Sequence, residues 1–526
     1  MRTSSAIIHR FCLAATLALT AGTAPAREPI SAIDWLDRQD GLAGLGAQPD
    51  GDTTTTPNIA EPPVADSVTT PQVETRPLDA PQAGAVGLLP RSVTGLPVTI
   101  WENSQSATLT GKLERLDVTG LPAMQSLLYS LLLTEAEPPR QDRGGLSFLL
   151  ARIDALIELG AVEPALSLTE RAAPETAPAL FSRWFDLALL TGNEHRVCQE
   201  MRDRPALAPS LPALAFCRAS QGQWDLAALT VGSAAALEMM PAAEESLMRL
   251  YLDPDLAEAT PQMPPPATIT PLSFRLAEAI GHPLPATGLP RAYAMADLRG
   301  LSGWRAEIEA AERLTRTGAL AENRLLGVYT DRKPAASGAV WDRVEAVQDL
   351  DAAIRSGASD AISAALPPAW KAIRDAELEV PFARLWSAEL TKAAPTGAAA
   401  RLVFEIAMLS PDYETHAAAL SPVGPRETFL AAVAGGDPSS ASAPDATARA
   451  IQRGFSGTGA IPDSIRLALR GEKLGEAILE AMSHVSRAAE GATKDIAPAL
   501  ATLRAVGLED TARRTALQLM ILDRLR

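Results

Sequence analysis

Cys198 and Cys217 are the residues of this sequence whose type and spacing best support covalent chemistry. They stand in "EHRVCQEM" and "ALAFCRAS", stretches of helical spacing on either side of the turn-like "RPALAPS" (Arg204–Ser210), almost equally far from its centre. In an antiparallel helix hairpin the two face each other. Packed helices sit ~8–10 Å apart with Cα atoms ~2.3 Å off each axis, which leaves the separation a disulfide needs. There is no C-x-x-C, so the expectation is a structural staple and not a redox centre, with two buried free thiols as the alternative. A bridge closing a loop of this length contributes about 3 kcal/mol in the chain-entropy model.

Other chemistry is sparse. His195, His282, His416 and His484 are scattered without H-E-x-x-H or any i,i+4 pairing. No metal site is therefore expected, and each histidine reads as a surface or capping residue. "GLAGLG" (Gly41–Gly46) follows no strand and is not a dinucleotide fingerprint. "GFSGTG" (Gly454–Gly459) breaks the G-x-S-x-G spacing and reads as a loop. Carboxylate pairs such as "AEIEAAE" and "PAAEES" fall on polar helical faces. A lysozyme-like, peptidoglycan-cleaving domain would need a Glu-Ser start and a "GLMQ"-like segment, and the sequence has neither. No catalytic, cofactor-binding or metal-ligating residue is assigned, and the chain is read as a non-enzyme without cofactors.

The elements that must position the cysteines are helices. From about residue 104 the apolar period is 3.6, as in "AMQSLLYSLLL", "SFLLARIDALIEL" and "LFSRWFDLALL". Breaks fall at Pro and Gly, with Pro often at a helix start, where its missing N–H costs nothing. No run of alternating strand pattern occurs, so the fold class is all-α.

The helices are also phrased alike. "IELGAVEPALSLTERA" (Ile157–Ala172) and "ASQGQWDLAALTVGSA" (Ala219–Ala234) each carry a Gly with Ala five and twelve residues after it. The breaker glycines Gly160, Gly192 and Gly222 lie 32 and 30 residues apart, and Gly507 with Ala512 repeats the first half of the phrase. Each phrase predicts a helix, a tight turn at Gly and a second helix, with Ala165 and Ala227 where two helices cross closest. The pattern resembles the tetratricopeptide (TPR) helical-repeat superfamily. That resemblance implies an α-solenoid of stacked hairpins, in which each hairpin needs its neighbours to bury its apolar face.

Along the chain, residues 1–26 read as a signal peptide: Arg2 and Arg10, the short apolar core "FCLAATLALTAG" and the small-x-small "APA". The sixteen uncharged residues between Arg10 and Arg27 are short for a membrane-spanning helix of ~20, although an uncleaved anchor is the alternative. Residues 27–103 are Pro/Thr-rich and acidic, the composition of a disordered arm. Within it, Ile30, Ile33, Trp35 and Leu36 form an apolar island, a candidate docking motif for a partner or for the protein's own helices. A second island, "GLLPRSVTGLPVTIW" (Gly87–Trp101), precedes the helices. Residues 104–254 make a first helical block, 255–290 a Pro-rich connection and 291–526 a second block. The sign-alternating stretches Trp304–Arg316 and Trp341–Arg355 read as solvent-exposed faces with i,i+4 pairs, or as a polar groove.

Formal charge closes the reading. The whole chain carries 47 Lys+Arg against 63 Asp+Glu; loss of Arg2 and Arg10 leaves 45 − 63 = −18. Nucleic acid and anionic membrane surfaces both want basic patches, so neither is an expected partner. No transmembrane segment is expected in the mature chain. The sequence is read as an exported, periplasmic, non-catalytic scaffold or adaptor whose partners are proteins of the bacterial cell envelope. The alternative is a cell-wall-acting or glycan-binding protein with a groove between the blocks, for which three or more tryptophans on one open face would be the sign.

Overall fold

The computed structural model of the protein describes residues 83–142, 146–260, 266–334, 337–457 and 460–522. These contain α-helices and short 3₁₀ turns, and among the described residues there is no β-strand beyond one isolated bridge, Leu89 to Thr134. The signal-like segment and Ile30, Ile33, Trp35 and Leu36 lie outside the described residues. No described helix is long and apolar enough to cross a membrane.

The helices are, in order, α1 (Arg91–Thr94), α2 (Ser106–Glu114), α3 (Pro122–Leu133), α4 (Leu146–Glu158), α5 (Val162–Arg171), α6 (Pro178–Thr191), α7 (His195–Asp203), α8 (Leu211–Ser220) and α9 (Trp224–Ala236). There follow α10 (Ala242–Leu252), α11 (Pro254–Ala259), α12 (Pro271–Ala279), α13 (Ala294–Asp297), α14 (Trp304–Thr315), α15 (Glu322–Thr330), α16 (Val340–Ser356), α17 (Ser359–Asp375) and α18 (Glu379–Ala393). The last are α19 (Ala398–Leu409), α20 (Tyr413–Ala419), α21 (Pro425–Ala434), α22 (Ala446–Phe455), α23 (Asp463–Arg470), α24 (Leu474–Ala489), α25 (Ile496–Ala505) and α26 (Glu509–Ile521).

The repeated phrase has a local cause. Gly160, Gly192, Gly222 and Gly507 all have positive φ, and the N–H after each donates to the carbonyl five residues back, as from Gln223 to Arg218 (2.8 Å) and from Leu508 to Leu503 (2.8 Å). This closes the helix end and reverses the chain. Ala165, Ala227 and Ala512 are fully buried where the next helix crosses back. Sequence-adjacent helices pack in pairs, including α4 with α5, α8 with α9, α16 with α17 and α18 with α19.

Two expectations about organisation are corrected. Residues 83–103 belong to the packed body and not to an arm: Leu96, Ile100 and Trp101 are buried, and Trp101 meets Phe148 edge-on at 5.0 Å. The second apolar island thus had a hydrophobic destination within the chain. Nor do residues 255–290 separate two cores. Pro254 and Pro271 each open a helix, with Asp253 and Thr270 as N-caps. Helices α7 to α12, packed against Phe185 of α6, make a side lobe with its own core, including Met201, Phe216, Met248 and Leu276. The chain then returns: α12 and α13 pack on α6, Arg291 donates to the Glu158 carbonyl (2.8 Å), and Thr317 donates to the Leu159 carbonyl (2.7 Å). The principal core runs from Val86 to Leu522 and draws on residues from both sides of the expected boundary.

The two ends of the described chain also meet. α2 packs on α24 and α3 on α26. The Gln518 side chain accepts from the Ala123 N–H (2.8 Å), and Asn103 donates to Glu472 (3.1 Å). Lys112 pairs with Glu480 across the same seam.

Candidate interaction surface

The cysteines lie where the hairpin argument puts them. Cys198 on α7 and Cys217 on α8 stand at disulfide distance, their Cα atoms 5.0 Å apart and both side chains buried in the lobe core.

Polar groups that sequence alone read as surface turn inward in two places. Glu312, in the first sign-alternating stretch, is 2% exposed and accepts from both nitrogens of Arg343 in the second stretch (2.7 Å each) and from the Tyr329 hydroxyl (2.8 Å). The tryptophans that open these stretches, Trp304 and Trp341, are 5.1 Å apart. The alternation is therefore partly an internal seam. Arg305–Glu309 and Arg355–Asp351 are the expected i,i+4 surface pairs. His484 is likewise not a free surface residue: its Nδ1 contacts Asp495, which also accepts from Arg487 (3.0 Å). His416 is buried at 8% exposure. His195 is exposed and contacts Gln199 at 2.8 Å.

Arg152 was missed. It is 1% exposed and, with no carboxylate partner among the described residues, donates to the carbonyls of Leu132 (2.8 Å), Val86 (3.0 Å) and Thr134 (2.9 Å). Burial pushes the guanidinium down to about 10. It ties the first described residues to the end of α3.

Two concavities are candidates for ligands. A cavity of about 380 Å³ is lined by Ser126 and Ser130 of α3, Arg384 of α18 and Asp510 and Arg514 of α26. Arg514 is already engaged, donating to Asp510 and to the carbonyls of Ser410 and Pro411. An open groove of about 660 Å³ between α16 and α17 has an alanine floor and an acidic rim of Asp342, Glu345 and Asp349. Among the described residues no cluster of three His, Cys, Asp or Glu side chains is placed to hold a metal ion.

The surface feature with the least intramolecular explanation is the outer face of α9. Its inner face, Ala227, Thr230, Val231 and Ala234, is buried against α8 and α10. Its outer face carries Leu226, Leu229, Gly232, Ser233, Ala236 and, just beyond the helix, Leu237. Leu229 is 66% exposed and Leu237 68%. Of the eleven large apolar side chains exposed among the described residues, five lie between Trp224 and Met239. The twelve residues Leu226–Leu237 contain no charge. A glycine inside a helix costs about 1 kcal/mol relative to alanine, yet nothing lies within 4 Å of the place where a Cβ on Gly232 would sit. Exposed apolar patches of this kind mark interaction sites. Sequence reading passed over the stretch because its apolar residues satisfy a helical period whether or not the second face is covered.

No family model, no curated protein and no solved structure matches the chain.

Proposed function

We propose that the protein is an exported, non-catalytic interaction protein, a scaffold or adaptor of the bacterial cell envelope, built from TPR-like hairpins as an α-solenoid and working in the periplasm. The observation that carries this reading is the uncharged, exposed face of α9. A helix face of that composition suits a protein helix laid against it and offers nothing to a polar metabolite. The signal-like N-terminus and the Cys198–Cys217 pair support an oxidising compartment. The apolar island Ile30, Ile33, Trp35 and Leu36 is proposed as the chain's own docking motif.

The glycan-binding alternative loses its sign. Among the described tryptophans Trp101, Trp184, Trp370 and Trp386 are buried, Trp304 and Trp341 are partly buried, and Trp224 alone is exposed. One exposed indole is no aromatic platform.

The test is a crosslinked pull-down from intact envelopes with the full chain, a variant lacking residues 27–82, and Leu229→Asp. The deletion stops at 82 because residues 83–103 are part of the body. Specific protein capture by the full chain, reduced by either variant, supports the adaptor reading. Co-sedimentation with purified cell wall without protein capture overturns it in favour of the glycan reading.

A further inference from the structure

We infer that the outer face of α9 is the seat of this chain's own Ile30–Leu36 segment, so that the docking motif is held in cis until a partner displaces it. The inference rests on the interaction reading above in naming what that face binds, and it adds a regulatory step to it.

The receptor side is the exposed stripe of α9. Leu226, Leu229, Ser233 and Ala236 recur at i, i+3, i+7 and i+10, a stripe along α9. Gly232 and Ala236 are small residues in the exposed stretch between Leu229 and Leu237. Nothing in the described chain occupies the space beside Gly232. Helices pack by seating the ridges of one in the grooves of the other, and small residues permit the closest approach. The exposed apolar stripe with small residues along it thus leaves room for one further apolar segment to pack.

The occupant is chosen by composition and reach. Between Arg27 and Gln82, the residues before the described body, the densest run of large apolar side chains is Ile30, Ile33, Trp35 and Leu36. Ile30, Ile33 and Leu36 stand at i, i+3 and i+6, a short apolar run of about two turns' length if helical. The segment between the island and the body is residues 37–82, and 82 − 36 = 46 residues. Fully extended, that length spans ~150 Å. A body of about 440 residues has a radius of gyration of roughly 22 Å when compactly packed, several-fold less than that reach. Tethering holds the island at an effective concentration on the order of 1 mM. A contact too weak to form between separate molecules is therefore filled within one chain. A second copy of the protein would have to compete with that concentration.

The experiment places the photocrosslinker p-benzoylphenylalanine at position 233 of the purified full chain, in an equimolar mixture of ¹⁴N- and ¹⁵N-labelled protein. The face is exposed, so the substitution leaves the fold intact, and circular dichroism verifies this. Trypsin cuts after Arg27 and Arg38 and releases the island as one peptide, Glu28–Arg38. The expected product is a crosslink to that peptide with a single isotope label on both partners, its yield falling at least tenfold in Trp35→Asp. A mixed-label crosslink, or no crosslink to Glu28–Arg38, overturns the inference. Both readouts use purified protein. Failure here accordingly leaves the envelope pull-down free to succeed, and failure of the pull-down leaves the crosslink free to form.

Discussion

Trp101 and Gly475 are in contact across 374 positions of sequence: a Cβ built on Gly475 would fall 2.2 Å from Cζ3 of the indole. The Gly475 N–H also donates to the Ile100 carbonyl (3.1 Å). Only a residue without a side chain lets α24 come this close to the chain that precedes α2. This is one latch by which the first and last described helices close on each other. Gly475→Ala is expected to cost about 1–3 kcal/mol by overpacking, and Trp101→Ala about 3–5 kcal/mol through the cavity it leaves. Urea unfolding of both single variants and the double variant decides whether the contact is responsible. With the indole gone the nearest obstacle left is the Ile100 carbonyl oxygen at 3.0 Å, so the double variant should lose less than the sum of the two single losses. Strict additivity would place the cost of Gly475→Ala elsewhere.

Arg152 holds the same end of the chain from the other side. Its three carbonyl acceptors belong to Val86, Leu132 and Thr134, all close to buried residues. Arg152→Met fills similar volume but leaves those carbonyls short of donors inside the core. A loss of about 3 kcal/mol or more is expected, because each abandoned buried acceptor costs ~1–3 kcal/mol. Hydrogen exchange should show it first at Leu88 and Leu89, whose amides donate to the Leu133 carbonyl (2.8 and 2.9 Å). Uniform loss of protection across α6 to α12 instead would argue against a local clamp.

How far the sequence could be read follows from what its signals report. Apolar period reports which side of a helix can be buried, and from residue 104 onward it pointed to the all-α class, but not to the helices that Pro254 and Pro271 open inside the Pro-rich stretch. Gly-to-Ala phrasing marked three hairpins, at Gly160, Gly222 and Gly507, and the spacing of Gly192 a fourth, because glycine advertises positive φ. Three other turns of the same design were invisible. Glu238, Glu377 and Glu472 stand in the glycine position with φ of 52°, 58° and 54°. In each the next N–H donates to the carbonyl five back, as from Leu378 to Ile373 (3.1 Å). Long-range closure was equally silent, since nothing local distinguishes a Trp101 that meets Gly475 from one that meets a neighbour. The arm boundary was misplaced for the same reason: composition at 83–103 is loop-like, and its ordering comes from distant helices. On the candidate site, the apolar residues of α9 are legible in Ala219–Ala234, but their exposure is a property of the assembled body.

The glutamates in left-handed turns give a test of that account. A left-handed conformation costs a residue with a side chain about 1–2 kcal/mol, whereas glycine adopts it freely but loses more chain entropy on folding. Glu377 is exposed, so Glu377→Gly should stabilise the protein by about 0.5–1 kcal/mol. The reverse change, Gly222→Glu, meets no steric obstacle, since nothing lies within 4 Å of the new Cβ. It should cost about 1 kcal/mol from backbone conformation alone. Thermal unfolding of the two variants should move in opposite directions; movement in the same direction would show that side-chain contacts, not φ, dominate at these turns.

Two aspartates should shape stability against pH with opposite signs. Burial pushes Asp186 of α6 up to about 6 from its ordinary 3.8, opposed by Arg183. The folded state holds a proton there that the unfolded chain releases. Its contribution is present below pH ~4 and is lost as pH rises towards 6. For Asp495, burial raises the carboxyl, but hydrogen bonds from His484 and Arg487 outweigh it and hold it below the usual range. That contribution is present above pH ~4 and is lost as pH falls through the lowered value. Asp186→Asn should flatten the stability profile between pH 4 and 6, and Asp495→Asn should flatten it below pH 4. Urea titrations at half-unit intervals separate the two; an unchanged slope in either window rejects the corresponding assignment.

The staple between Cys198 and Cys217 should act on the lobe more than on the whole. The nineteen-residue separation between them implies about 3 kcal/mol in the loop-entropy account. The lobe core of Phe185, Met201, Phe216 and Leu276 is distinct from the principal core, which the chain rejoins at Arg291 and Thr317. A weakened lobe can therefore open without releasing the closure of α2 and α3 on α24 and α26. With both cysteines changed to alanine, amides of α7 to α10 should exchange faster, while those of α24 to α26 keep their protection. Reductant should reproduce the effect in the unmodified chain and add nothing in the double variant. Equal loss of protection in both regions would mean that the lobe and the principal body unfold as one unit.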